Sequence, residues 1–117
     1  MSDSEFDLIQ DFFAGLDQGA SVRLGIGDDA AALSLPDGHV LHISTDTAAE
    51  GVHFLASLSA SDVAYRSVMA AASDLAAMGA TPEALLLALT LPEGDRVWLE
   101  RFSQGLADAC TAIGAPL

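Results

Sequence analysis

The sequence predicts an α+β fold: a small, mostly antiparallel or mixed sheet covered by helices. Two long segments, Ser59–Met78 and Asp95–Ile113, carry helix-start signals, good helix formers and glycine stops. Short β-branched or apolar runs at Val22–Leu24, Ala30–Leu35, Val40–Asp46 and Ala84–Leu91 are set off by glycine- and proline-bearing turns. The chain has 117 residues, 51% of them hydrophobic, and its mean hydropathy is positive. That is enough for one core and argues against disorder.

The first expected element is a short amphipathic helix over Ser4–Leu16. Ser4 can cap it, Asp7 lies three residues on, and Phe6, Ile9, Phe13 and Leu16 share a face. Val22–Leu24 is a candidate short strand before the loop Gly25–Asp29. Ala30–Leu35 and Val40–Asp46 flank the turn Pro36-Asp37-Gly38 and are expected to pair as a hairpin. The helix over Ser59–Met78 has a cap at Ser59 or Ser61 and closes at Gly79 before Pro82. Ala84–Leu91, continuously apolar between two prolines, reads as a strand buried on both faces. The last helix, Asp95–Ile113, presents Val97, Leu99, Phe102, Leu106, Ala109 and Ile113 and stops at Gly114. The resulting order, α-β-β-α-β-α, ends where a further strand is expected.

Seventeen acidic residues face four arginines (Arg23, Arg66, Arg96 and Arg101) and no lysine, for a formal net charge of -13. This balance excludes nonspecific nucleic-acid binding, which relies on basic side chains, and argues against an anionic membrane surface. A salt-adapted or merely soluble surface explains the total charge equally well. Cys110, the sole cysteine, cannot form an internal disulfide. With no export signal and no apolar run of about 18 residues, a cytoplasmic protein is expected.

Three acidic clusters carry the chemistry: Gly25–Asp29, Ser44–Thr47 and Ser73–Gly79. Each sets a carboxylate among glycine, hydroxyl or small apolar residues, a donor set suited to hard divalent cations. Without lysine, phosphate binding would lean on metal ions. On a strand over Val40–Asp46, His42, Ser44 and Asp46 share one face, so Ser44 and Asp46 can reach one ion together. On spacing alone, a Ser-Thr-Asp-Thr turn satisfying its own backbone is the favoured reading. Asp74 shares a helix face with Val63, Ser67, Ala70, Ala71 and Ala77, so it is expected to face the sheet. Buried there, it needs a partner, and Arg66 points roughly 80° away at about 100° per residue. A metal ion is one solution; an exposed aspartate is the other. Of Asp28 and Asp29, one is expected to coordinate while the other caps the turn. His53, by itself, is a loop histidine of no special standing.

Together these segments resemble thiamine-monophosphate kinases. The resemblance rests on Glu-Phe-Asp-Leu-Ile (Glu5–Ile9), Leu-Gly-Ile-Gly-Asp-Asp-Ala (Leu24–Ala30), Ile-Ser-Thr-Asp-Thr (Ile43–Thr47) and Gly-Val-His-Phe (Gly51–Phe54). It continues through Ser-Asp-Leu-Ala-Ala-Met-Gly-Ala (Ser73–Ala80) and Leu-Ala-Leu-Thr-Leu-Pro (Leu87–Pro92), covering nearly the whole chain in order. The wider superfamily includes aminoimidazole ribonucleotide synthetase.

The resemblance implies ATP-dependent phosphorylation of thiamine monophosphate to thiamine diphosphate with several Mg²⁺ ions. It implies metal ligation by Asp29, Asp46 and Asp74, with Ser44 and Thr45 adding oxygens, Thr45 through its carbonyl. His53 is implied to contact the thiamine phosphate. No catalytic base is named, because the nucleophile is already an ionised phosphate oxygen. A homodimer joined through strands is also implied. Residues 1–117 are then expected to form a single amino-terminal metal and substrate domain, with the ATP-site domain beyond Leu117 and no turnover without it. The alternatives are another ATP-dependent synthetase of the superfamily and a noncatalytic dimeric module that binds divalent cations.

Overall fold

The computed structural model describes residues 3–117. Helix α1 (Glu5–Phe12) begins at a reciprocal cap. The Ser4 hydroxyl accepts from the Asp7 N–H at 3.2 Å, while the Asp7 carboxylate accepts from the Ser4 N–H at 3.0 Å. The chain then tightens into a 3₁₀ turn over Ala14–Leu16, so the regular helix is shorter than its apolar spacing suggests.

Helices α2 (Ala60–Ala77) and α3 (Arg96–Ile113) lie within a residue or two of their expected limits. Ser59 caps α2 through the Asp62 N–H, and Asp95 caps α3 through the N–H groups of Val97 and Trp98. Gly114, at φ 73°, ends α3 in the left-handed conformation that glycine adopts at least cost.

The core is the seam between α2 and α3. Val63, Ala64 and Val68 pack with Leu99, Phe102, Leu106 and Ala109, and Phe13 closes one end. Phe102 stacks on Trp98 with ring centroids 4.9 Å apart and meets Phe13 edge-on at 6.3 Å. Burial also pushes the Cys110 thiol pKa up, which keeps it protonated.

The sheet is smaller than expected. Strand β1 (Val22–Leu24) pairs antiparallel with β2 (Ala32–Leu33), in the register Val22 opposite Leu33 and Leu24 opposite Ala32. The hairpin expected between Ala30–Leu35 and Val40–Asp46 does not form: β2 turns to β1 instead, and Val40–Asp46 joins no ladder among the described residues. Nor does Ala84–Leu91, whose Leu86 is 91% exposed rather than buried on both faces. Its anchors are Leu85 and Leu91, packed against the core, and a 2.8 Å hydrogen bond from the Leu85 N–H to the Pro116 carbonyl. A strand needs a neighbour about 4.8 Å away, and no described segment takes that place. Apolar patterning reports a tendency to be covered without naming the cover. The architecture remains α+β, with its burial concentrated in the helices.

Candidate functional site

One cleft, of ≈ 190 Å³, opens between the segment leading into α2 and the exposed side of that helix. Asp46, Thr47 and His53 line one wall; Arg66, Ser67 and Ala70 of α2 line the other. Phe54, Leu58 and Val63 supply an apolar floor. The helical wall follows from spacing: Val63, Ser67 and Ala70 recur at the intervals that keep side chains on one face.

Local hydrogen bonds shape the other wall. The Thr47 N–H donates to the Asp46 carboxylate at 2.9 Å, a local bond between adjacent residues. The Ala49 N–H donates to Nδ1 of His53 at 2.9 Å. An accepting Nδ1 places the imidazole proton on Nε2, which leaves that nitrogen as the donor of a ring lining the cleft. Gly51, at φ 81°, allows the turn that brings His53 back toward Ala49.

The structure thus unites two of the sequence-predicted residues, Asp46 and His53. Asp74 lies on the same face of α2, one turn beyond Ala70, by the same helical spacing. It is exposed, which corrects the expectation that it faces a sheet: no described strand covers that side of α2. An exposed carboxylate needs no buried partner. Ser44 and Thr45 are exposed and do not line the cleft. Asp29 is exposed at the end of the glycine loop, where its N–H donates to Asp28 at 2.8 Å. Asp17 stabilises that loop by accepting from the Ile26 N–H at 2.9 Å, a contact the sequence does not signal.

No group of three or more histidine, cysteine or acidic side chains is drawn together tightly enough to cage an ion among the described residues. Asp46, which lines the cleft, and Asp74, one turn of α2 beyond it, are nevertheless of the donor type that Mg²⁺ takes. Asp46 and Asp74 offer hard oxygens, both are exposed, and neither is in an ion pair among the described residues. Mg²⁺ retains several waters and takes one or two carboxylates together with substrate phosphates, so it does not require a closed protein cage.

Arg66 is the residue that sequence reasoning placed elsewhere. Helical angles set it away from Asp74, but its sharing a cleft with Asp46 depends on how the preceding segment folds beside α2. No spacing rule carries that information.

The sequence has counterparts among known proteins. The chain is 49% identical over 109 residues to a protein of Escherichia coli named thiamine-monophosphate kinase, covering 92% of this chain and 34% of that protein. A protein of the same name from Haemophilus influenzae is 49% identical over 109 residues, covering 91% and 33%. One from Synechococcus elongatus is 48% identical over 93 residues, covering 78% and 28%. The chain therefore spans about a third of the length of the curated relatives it matches. A family model described as "AIR synthase related protein, N-terminal domain" matches residues 27–117. With that match running from the glycine loop through the cleft to the end of α3, the chain belongs to the AIR synthase related family, as an N-terminal domain.

Proposed function

We propose that this chain is the metal- and substrate-binding part of a kinase that phosphorylates thiamine monophosphate to thiamine diphosphate with ATP. The observation that carries this reading is the meeting of Asp46 and His53 at one cleft, in a chain about half identical to proteins named for that activity. Those names favour a kinase over another synthetase of the same superfamily.

In this reading Asp46 and Asp74 would hold Mg²⁺, with Asp29, Ser44 and Thr45 as further candidate oxygen ligands. Bound Mg²⁺ supplies charge neutralisation for the transferring phosphoryl group. His53 donates from Nε2 to the thiamine phosphate and fixes its place. The apolar floor of Phe54, Leu58 and Val63 packs against the organic part of the substrate and displaces water from it. The attacking phosphate oxygen is ionised at neutral pH, so this chain need not remove a proton. Its contribution is alignment and electrostatics. In the same reading ATP is bound by a part corresponding to the roughly two thirds of the relatives that this chain does not span. The working protein is a cytoplasmic homodimer.

The test is product formation. The chain alone, given thiamine monophosphate, ATP and Mg²⁺, yields no thiamine diphosphate. Joined to the remaining portion of the Escherichia coli relative, it yields thiamine diphosphate, and His53→Ala raises KM for thiamine monophosphate. Turnover by the chain alone, or none by the joined protein, overturns the reading. Divalent-cation binding without turnover in the joined protein would mark a noncatalytic module.

A further inference from the structure

The four arginines have different surroundings. Arg96 is held by Asp3 at 3.0 Å and Asp11 at 2.6 Å, and lies over the Phe12 ring. Arg23 donates through Nε to the Ser34 hydroxyl at 2.7 Å. Arg101 lines a separate depression beside Asp95 and Trp98. Arg66 lines the cleft with Asp46 and His53 and forms no ion pair among the described residues, even with Asp62 one turn earlier on α2.

We propose that Arg66 binds the phosphate of a phosphate monoester in this cleft, with the Thr47 hydroxyl and His53 Nε2–H as the accompanying donors. This rests on the kinase reading above and adds a substrate-binding residue to it. The donor inventory points the same way. The Ser67 hydroxyl is committed to the Val63 carbonyl at 2.6 Å, and the Thr47 and Ala49 N–H groups are committed to Asp46 and His53. The side-chain donors left for an anion are Arg66, His53 and Thr47.

Charge favours such a donor beside any metal ion. An incoming phosphate dianion meets the Asp46 carboxylate on a chain of net charge -13 that contains no lysine. A guanidinium lining the same cleft as Asp46 offsets that repulsion and offers a planar fork matched to two phosphate oxygens. The apolar floor of Phe54 and Leu58 beside the polar rim suits an ester with an organic group better than free phosphate.

Amide chemical-shift titrations of the chain in Mg²⁺ test this with three probes: thiamine monophosphate, thiamine and ATP. Arg66→Met is expected to raise the dissociation constant for thiamine monophosphate at least fivefold while leaving those for thiamine and ATP unchanged. Arg66→Lys keeps the charge but loses the fork and should fall between wild type and Arg66→Met. Thr47→Val should give a smaller loss, again confined to the phosphorylated thiamine. It supplies an independent reading if Arg66→Met perturbs the amide spectrum as a whole. Unchanged thiamine monophosphate binding in Arg66→Met overturns the proposal while leaving the kinase reading standing. Equal losses for thiamine and its monophosphate would overturn it by assigning Arg66 a packing role. A loss confined to ATP would overturn it by assigning Arg66 to the nucleotide. Failure of the wild-type chain to bind thiamine monophosphate overturns both readings.

Discussion

Gly105 of α3 lies against the backbone of Ser61 at the start of α2, so closely that a Cβ on Gly105 would overlap the Ser61 carbonyl oxygen. The three nearest atoms all belong to the Ser61 main chain, and none can rotate away as a side-chain tip would. Gly105→Ala is therefore expected to force the helices apart. Overpacking of this kind costs about 1–3 kcal/mol, against about 1 kcal/mol regained from helix propensity. A lower thermal midpoint is the expected outcome. An unchanged or raised midpoint would show that the helix pair yields at this point.

The cap of α1 responds to acid. Asp7 accepts from the Ser4 hydroxyl and the Ser4 N–H, and these bonds hold its carboxyl pKa below the ordinary aspartate value, the side-chain bond contributing most. A depressed pKa in the folded state contributes stability above the unfolded pKa and loses it as pH falls through the folded one. Amide exchange in the first turn of α1 should accelerate over that acid window. Ser4→Ala should flatten the response; an unaltered pH profile in that variant would remove the cap as its cause.

How far the sequence discloses the molecule depends on how local each signal is. The starts and stops of α2 and α3 were legible because Ser59, Asp95 and Gly114 act within their own helical turns. The strand pairing was not, since the partner of Ala32–Leu33 is chosen by tertiary approach, and Val22–Leu24 prevailed over the nearer Val40–Asp46. At the site, Asp46 and His53 were visible through their motifs. Arg66 was not, because its sharing a cleft with them arises from the approach of a loop to a helix.

Metal binding should be weak in the isolated chain. With Asp46 and Asp74 exposed and no phosphate to complete the shell, calorimetry should find loose Mg²⁺ or Mn²⁺ binding that weakens several-fold in either Asp46→Asn or Asp74→Asn. If both variants bind like wild type, these carboxylates are not the ligands. Asp29→Asn should have little effect until phosphate-bearing substrates are added.

Apolar exposure argues for self-association. Val40 is 82% and Ile43 76% exposed, on a segment rich in β-branched residues that pairs with no described strand. A second copy of the chain can supply that cover. At -13 per chain, repulsion opposes the contact, so the dimer should tighten as salt rises. Light scattering should show a dimer in moderate salt and a shift toward monomer in Ile43→Asp. A wild-type monomer at high protein concentration would refute this.

The two walls of the cleft differ in how firmly the fold holds them. Arg66 and Ser67 ride on a helix whose opposite side is embedded in the core, whereas Asp46, Thr47 and His53 belong to a stretch with few buried neighbours, secured by short-range hydrogen bonds. Part of any ligand's intrinsic affinity is therefore spent on ordering one wall against a fixed one. Binding should register as slowed amide exchange at Thr47–Phe54 with little change along α2. Mutations that stiffen that stretch in its bound form should tighten binding without touching the ligand, making this loop the place where affinity can be tuned independently of chemistry.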